Sequence, residues 1–480
     1  MVFRREPLDL SGRITFVPAL MNRPAALIAG LGLVCFALPV RSQPYQGTGI
    51  KIGETDQTGA TIWTRLTTVP HGDSTRITDA APGAEGEVRV SFAPAADPDS
   101  IRHSAWHPVD PARDFTRQIV LRDLAPGTHY SLAVESRALG HVAVTSTVNG
   151  RFKTAPPPDD TAPVLGTIVT CQGIGSQDSP TDGHRVYDEL AAIDPDFFVH
   201  TGDVLYYDKD YDGLHPLSKN PTAARQRWNR MFSYRFNQNF HRLATSYFLK
   251  DDHDLLKNDC YPGQTYGDLT FDQGVAIFAE QTPSSDLPYS TVRWGQDLQI
   301  WLLEEREFRS PNRMPDGPDK SILGTTQKLW LEQTLRASDA TFKLVISPGP
   351  IVGPDKPGKA DNLSNPAFQS EGDQIRALLA NTPGTYVIAG DRHWQYASVD
   401  PVTGLQEFGC GPINAAHNYG GDPGRQPGIH SYFSPKGGYL SVRSARDDGS
   451  PALQVRWHDA DAQDSQSGRF QIAHTLVLPP

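Results

Sequence analysis

The chain has 480 residues, 21% charged and 38% hydrophobic, with a formal net charge of -11 at pH 7 and a pI ≈ 5.7. That balance excludes a disordered chain, and the length exceeds what one ordinary hydrophobic core spans, so two folded domains are expected. Acidity also excludes an electrostatic footprint for duplex nucleic acid, and a phosphate site here would need local cations.

Residues 1–42 read as an export-signal region, with Met21 as the expected start. Arg23 opens a short basic stretch, Ala25 to Val40 is almost wholly apolar, and Ser42 is a small residue placed for cleavage before Gln43. The apolar run is short for a membrane span, an uncleaved anchor being the alternative. A secreted or periplasmic protein without a stable membrane span is therefore expected. Of the four cysteines, Cys35 lies in this region, which leaves Cys171, Cys260 and Cys410, an odd number for an exported chain.

Residues 43–155 read as an all-β module. Ile50 to Gly53, Ala60 to Arg65, Glu87 to Phe92, Arg117 to Leu121 and Tyr130 to Glu135 alternate with period two and are rich in β-branched and aromatic residues. Turn residues separate them at sandwich spacing. Leu124 to Tyr130 resembles the tyrosine-corner segment of fibronectin type III domains, and Trp63 and Tyr130 read as core. Residues 156–163, with Pro156, Pro157, Pro158 and Pro163, form a stiff linker to a second domain at 164–480.

From there strands and helices alternate. Apolar runs at Val164 to Thr170, Phe197 to Val199, Thr245 to Leu249, Thr341 to Ser347 and Thr385 to Ala389 predict strands. Periodicity predicts helices over 184–193, 325–336 and 373–379, and hairpins over 290–303 and about Asp447 to Ser450. Residues 209–238 read as a loop with helical pieces. Four predicted strands end in chemistry-bearing residues: Cys171; Gly202 with Asp203; Asp251, Asp252, His253 and Asp254; and Gly390, Asp391, Arg392 and His393. That edge is where open α/β sheets hold their ligands.

These four motifs, in this order, resemble the PhoD-type alkaline phosphatases of the calcineurin-like metallophosphoesterase superfamily, across nearly the whole mature chain. The resemblance implies a four-layer αββα core preceded by the fibronectin/immunoglobulin-like sandwich, and a trivalent iron beside one or two calcium ions. It implies Cys171, Asp203, Tyr206 and His393 as iron ligands, Asp203 bridging to a second metal on Asp252 and Asp391, and His253 beside the substrate oxygen. Lys250, Asp254 and Arg392 depart from the family pattern, which bears on substrate choice.

The chemistry of the residues agrees. Thiolate, phenolate and carboxylate are anionic donors suited to high-charge iron, and an all-carboxylate site suits calcium. Tyr207 is the competing phenolate. Asp251 and Asp254 read either as solvated or as orienting His253. Lys209, Lys250, Arg306 and Arg392 are candidate phosphate contacts, or ordinary surface charges. With Cys171 assigned to metal, Cys260 and Cys410 are expected to pair as a disulfide. The implied function is hydrolysis of phosphomonoesters or phosphodiesters, with a small phosphoester as partner. Phospholipid headgroup release and a wall-associated binding role with a structural metal are the alternatives.

Overall fold

The computed structural model describes residues 43–71, 80–210, 213, 216–417, 423–464 and 467–480. The predicted signal segment, with Met21 and Cys35, lies outside them. Ser42–Pro480 forms one unit.

Its centre is a stack of four layers. The parallel strands Val164–Val169, Phe197–His200 and Thr245–Phe248 lie side by side in a nine-stranded sheet. Leu298–Leu302, Phe342–Ser347, Thr385–Ala389 and Gln406–Cys410 run parallel in a seven-stranded sheet. Side chains alternate across each pleat, so neighbouring residues serve different layers. Phe197 and Val199 face the cluster between the sheets with Ile300, Leu302, Leu344 and Ile388. Phe198 faces outward onto Val186, Leu190 and Phe240 of two helices, Arg185–Ile193 and Arg235–His241. On the second sheet Trp301, Val345 and Val387 face outward onto helices Gly324–Ala337 and Gln369–Ala380. Burial on both faces is why these strands read as continuous apolar runs. The result is the αββα order that the resemblance implies.

The all-β portion precedes this core. Glu87–Pro94, His129–Arg137 and Val144–Lys153 pair in a five-stranded sheet. Ile50–Gly53, Ala60–Arg65 and Thr116–Leu121 face it across a core containing Ile52, Ile62, Val90 and Val134. These three strands also belong to the nine-stranded sheet, because Ile50–Gly53 pairs in parallel with Thr245–Phe248. Trp63 and Tyr130 are buried, and the Tyr130 hydroxyl accepts from the Ala125 N–H at 2.9 Å, closing the tyrosine corner.

The segment read as a loop with helical pieces over 209–238 holds helix Pro221–Met231 and the start of helix Arg235–His241. The expected disulfide is absent: Cys260 and Cys410 are both free and buried. Cys410 sits in the core between the sheets, whereas Cys260 belongs to a separate cluster that includes Val204, Leu205 and Leu255, with its thiol donating to the Asp252 carbonyl at 3.3 Å. Two thiols in different cores cannot meet.

Candidate metal centre

All four motifs meet at the carboxyl edge of the two sheets. Cys171, Asp203 and Asp391 each follow a parallel strand and each adopts positive φ, at 49°, 53° and 60°. Left-handed backbone at non-glycine residues is uncommon and concentrates where surrounding structure enforces it. Here it turns each side chain off its strand toward a common point. Gly202 (φ 115°) permits the turn before Asp203, since a Cβ there would lie 2.6 Å from the Asp251 Cβ. The sheets are tied at this edge by the Asp391 N–H donating to the Thr170 hydroxyl at 3.2 Å.

One oxygen of Asp203 gathers the first donor set. Its Oδ2 lies 3.5 Å from the Cys171 Sγ and accepts from the Tyr206 hydroxyl at 2.9 Å, and that hydroxyl is 3.3 Å from the His393 Nε2. Tyr207 points away, its hydroxyl accepting from the Trp228 indole at 2.7 Å inside the lower cluster. Carboxylates surround Asp203. Its oxygens approach Asp251 and Asp391 in one group, and Asp252 and His253 in another, with the candidate donor atoms of each group within 4.8 Å of one another. Thus Asp252 and Asp391 both reach Asp203, and Asp251 joins the Asp391 side.

Asp203 Oδ1 is buried and has no hydrogen-bond partner. A buried carboxylate oxygen without a donor is costly, and a bridging cation is the group that satisfies it. Charge argues the same way. Burial pushes the Asp203 carboxyl up to about 7, against the pull of His253 and with Asp251 and Asp252 adding to the rise. Burial likewise raises the Cys171 thiol well above its ordinary value, helped by Asp203. Burial, Arg392 and Lys356 hold His393 down to about 3, so its imidazole is neutral, the form that binds metal. Soft thiolate, phenolate and imidazole on one side and carboxylates on the other form two unlike donor sets sharing Asp203, and these residues fit a pair of unlike cations.

His253 lies against the Tyr206 ring, centroids 4.3 Å apart. Its Nδ1 is 2.6 Å from Asp208 Oδ1, while Asp208 Oδ2 accepts from the Asn258 N–H at 3.0 Å. Burial would lower His253, but the carboxylates of Asp252, Asp203 and Asp208 outweigh it and push it up to about 10. Asp208 thus orients His253, a role the sequence reading gave to Asp251 or Asp254. Both of those are buried rather than solvated. Asp251 is ion-paired with Arg306. Asp254 accepts from the Asp203, Leu205 and Asp251 N–H groups at 2.8, 3.2 and 2.9 Å, which fixes the backbone of both ligand loops.

The candidate phosphate contacts fare differently. Lys250 is ion-paired to Glu307 at 2.7 Å, in another cleft. Arg306 is buried on Asp251, and Arg392 is buried between Asp355 and Asp391. Lys209 contributes its backbone carbonyl, which accepts from Arg227 at 2.7 Å. Sequence reasoning missed two neighbours. Asp208 stands five residues after Asp203, in the stretch already singled out, but its partner is remote in sequence. His417 packs its ring 4.8 Å from His393 and 4.9 Å from Tyr206, and its backbone bonds His393.

A family model described as PhoD-like phosphatase matches residues 166–437, more than half of the chain. The chain belongs to the PhoD-like phosphatase family. A second model, the PhoD-like phosphatase N-terminal domain, matches residues 38–156. A solved structure of PhoD superposes with a TM-score of 0.72 at 15% identity, covering 90% of this chain and 90% of that one. Purple acid phosphatase PPD1 from yellow lupin (Lupinus luteus) seeds superposes with a TM-score of 0.61 at 11% identity, covering 89% of this chain and 73% of that one. At these identities the likeness is one of fold. No curated protein sequence matches. Family membership and the shared donor sets make this PhoD-like phosphatase a metal-dependent phosphoesterase. Among the described residues no helix is long and apolar enough to cross a membrane.

Proposed function

We propose that the chain is an exported hydrolase of phosphomonoesters or phosphodiesters, with trivalent iron on Cys171, Asp203, Tyr206 and His393. Calcium is then held by Asp203 with Asp252 and Asp391, and Asp251 adds a carboxylate beside them. The observation that supports this most is the convergence of the Cys171 thiol and the Tyr206 phenol on Asp203 Oδ2, with the His393 imidazole against that phenol and Asp203 Oδ1 left over for a second cation. When bound, the cation pair neutralises the phosphoryl oxygens and lowers the pKa of the attacking water.

The chain's own residues do the rest. Asp203 sets the spacing of the two donor sets. Asp254 holds the backbone that carries Asp203 and Asp251. Asp208 accepts a hydrogen bond from the Nδ1–H of His253, which orients the ring and leaves the Nε2 proton for the departing oxygen. An imidazole carrying a proton there is redundant in a purely structural metal site.

Metal analysis coupled to a substrate panel tests the reading. Iron and calcium should co-purify, a chelator should abolish hydrolysis, and Tyr206→Phe should shift or bleach a visible absorption band that Tyr207→Phe leaves alone. A colourless, iron-free, active protein would remove the iron assignment. A metal-loaded protein without activity on any phosphoester would remove the enzymatic one.

A further inference from the structure

Between strand Phe342–Ser347 and helix Gln369–Ala380 the chain crosses the catalytic edge and forms one wall of a groove of about 830 Å³. Two anchors fix this crossing beside the metal centre. Asp355 is ion-paired with Arg392, which stands between Asp391 and His393, and both paired side chains are 2% exposed. Lys359 is ion-paired with Asp259 at 2.8 Å, and the Asp259 N–H donates to Asp252 Oδ2 at 2.5 Å. The segment 355–359 therefore bridges the two carboxylate flanks of the site, and Lys356 lies between its anchors.

The groove has charged and apolar walls. Val352, Pro357, Val402 and Ile429 supply apolar surface. Most of its charges are already neutralised. Asp355 has Arg392, and Lys359 has Asp259 and Asp361. Arg376 has Asp373 and two backbone carbonyls, while Asp400 keeps its charge and accepts from the Thr403 N–H. Among the described residues of the groove, Lys356 is the charged side chain whose ammonium has neither an ion-pair partner nor a hydrogen bond within the protein. It is half-buried, and its charge is felt at His393. A half-buried ammonium without a counter-ion is a standing electrostatic deficit that a bound anion removes. The cleft beside Lys250 makes the contrast, because there Glu304 and Glu307 already neutralise the lysine.

The geometry points to Lys356 and its groove as an anion subsite for the alcohol portion of the substrate, so that the preferred phosphoesters carry a second anionic group, a carboxylate or a phosphate, on the leaving group. This rests on the reading of the metal centre as the place where the scissile phosphate is held. Neither the candidate metal ligands nor His253 line the groove, so what it holds is the part of the substrate that is not attacked.

Two phosphonates of equal chain length, one ending in a methyl group and one in a carboxylate, test this by calorimetric binding to the metal-loaded protein. The unaltered chain should bind the carboxylated probe about tenfold more tightly. Lys356→Gln should erase that preference and leave the alkyl probe unchanged, Lys356→Arg should keep it, and Lys356→Glu should invert it. A preference that is absent at the start, or that survives Lys356→Gln, overturns the subsite. Equal weakening of both probes also overturns it, because Lys356 would then serve the scissile phosphate. The phosphoesterase reading fails separately: preference intact, but neither corresponding phosphate ester hydrolysed.

Discussion

Along Phe197–His200 and Leu298–Leu302 successive side chains serve two different layers, and all but the half-buried Gln299 are buried. A few residues beyond such strand ends, at Asp203, Asp251, Asp252 and Asp254, the side chains are again buried, but all are carboxylates. Strand burial lowers the free energy, roughly 1.5–3 kcal/mol for each large apolar side chain. Loop burial raises it, through desolvation and through like charges held close together. The strands therefore tolerate the loops, and the loops await cations. A functional site here is a local reversal of what stabilises the rest.

Breaking the bridge gives the largest effect. Asp203→Asn should leave activity at or below ~0.01% of the unaltered enzyme, because both donor sets share that residue. Metal content should fall, while the metal-free variant melts no lower than the metal-free parent. A lower melting point would show that Asp203 supports the fold as well as the site.

Breaking the strand should do the opposite. Phe197→Ala opens a cavity between the sheets and should cost about 3–5 kcal/mol in denaturant unfolding, yet the folded fraction should keep its metal stoichiometry and kcat. Loss of metal in that variant would mean that strand packing, beyond the loop contacts, sets the ligand geometry.

Smaller in reach is His253→Ala. Alkyl esters should slow by about 10²–10⁴-fold, and nitrophenyl esters much less, because a nitrophenolate leaves without a proton. Metal content should stay unchanged. Asp208→Asn should show the same leaving-group dependence and add little in the His253→Ala background. Equal loss on both ester types at full metal occupancy would make His253 an electrostatic stabiliser.

Legibility in the sequence follows the same division. The core strands were visible because burial on both faces leaves an apolar run, as at Val164–Val169 and Thr385–Ala389. The site was visible because its ligands sit within a few residues of those runs. Strands Gln395–Val399 and Gln406–Cys410 were missed because polar residues such as Gln395 and Glu407 are buried in them through specific partners, which erases the pattern. Helix Phe271–Gln281 was missed too, although Thr270 and Gln273 form a capping box at its start. Asp208 and His417 act through partners far away in sequence, and no local pattern reports such pairings. The disulfide was expected from compartment and count alone, and neither carries distance.

The smallest effect concerns those thiols. Labelling the denatured, demetallated, unreduced protein should modify Cys171, Cys260 and Cys410 alike, and reductant should not move the melting point. Protection of two thiols would place Cys260 and Cys410 together after all.

The parallel pairing of Ile50–Gly53 with Thr245–Phe248 has a consequence for dissecting the chain. Thr245–Phe248 leads directly into Asp251, Asp252 and His253. Severing the polypeptide in the proline-rich stretch at 156–163 would strip away its neighbour and leave an unsatisfied, apolar sheet margin next to the ligands, a template for intermolecular aggregation. The amino-terminal module thus supplies the outer three of the nine strands in the catalytic sheet's hydrogen-bonded fabric, and the hydrolase portion is not a cassette that can be lifted out at that seam.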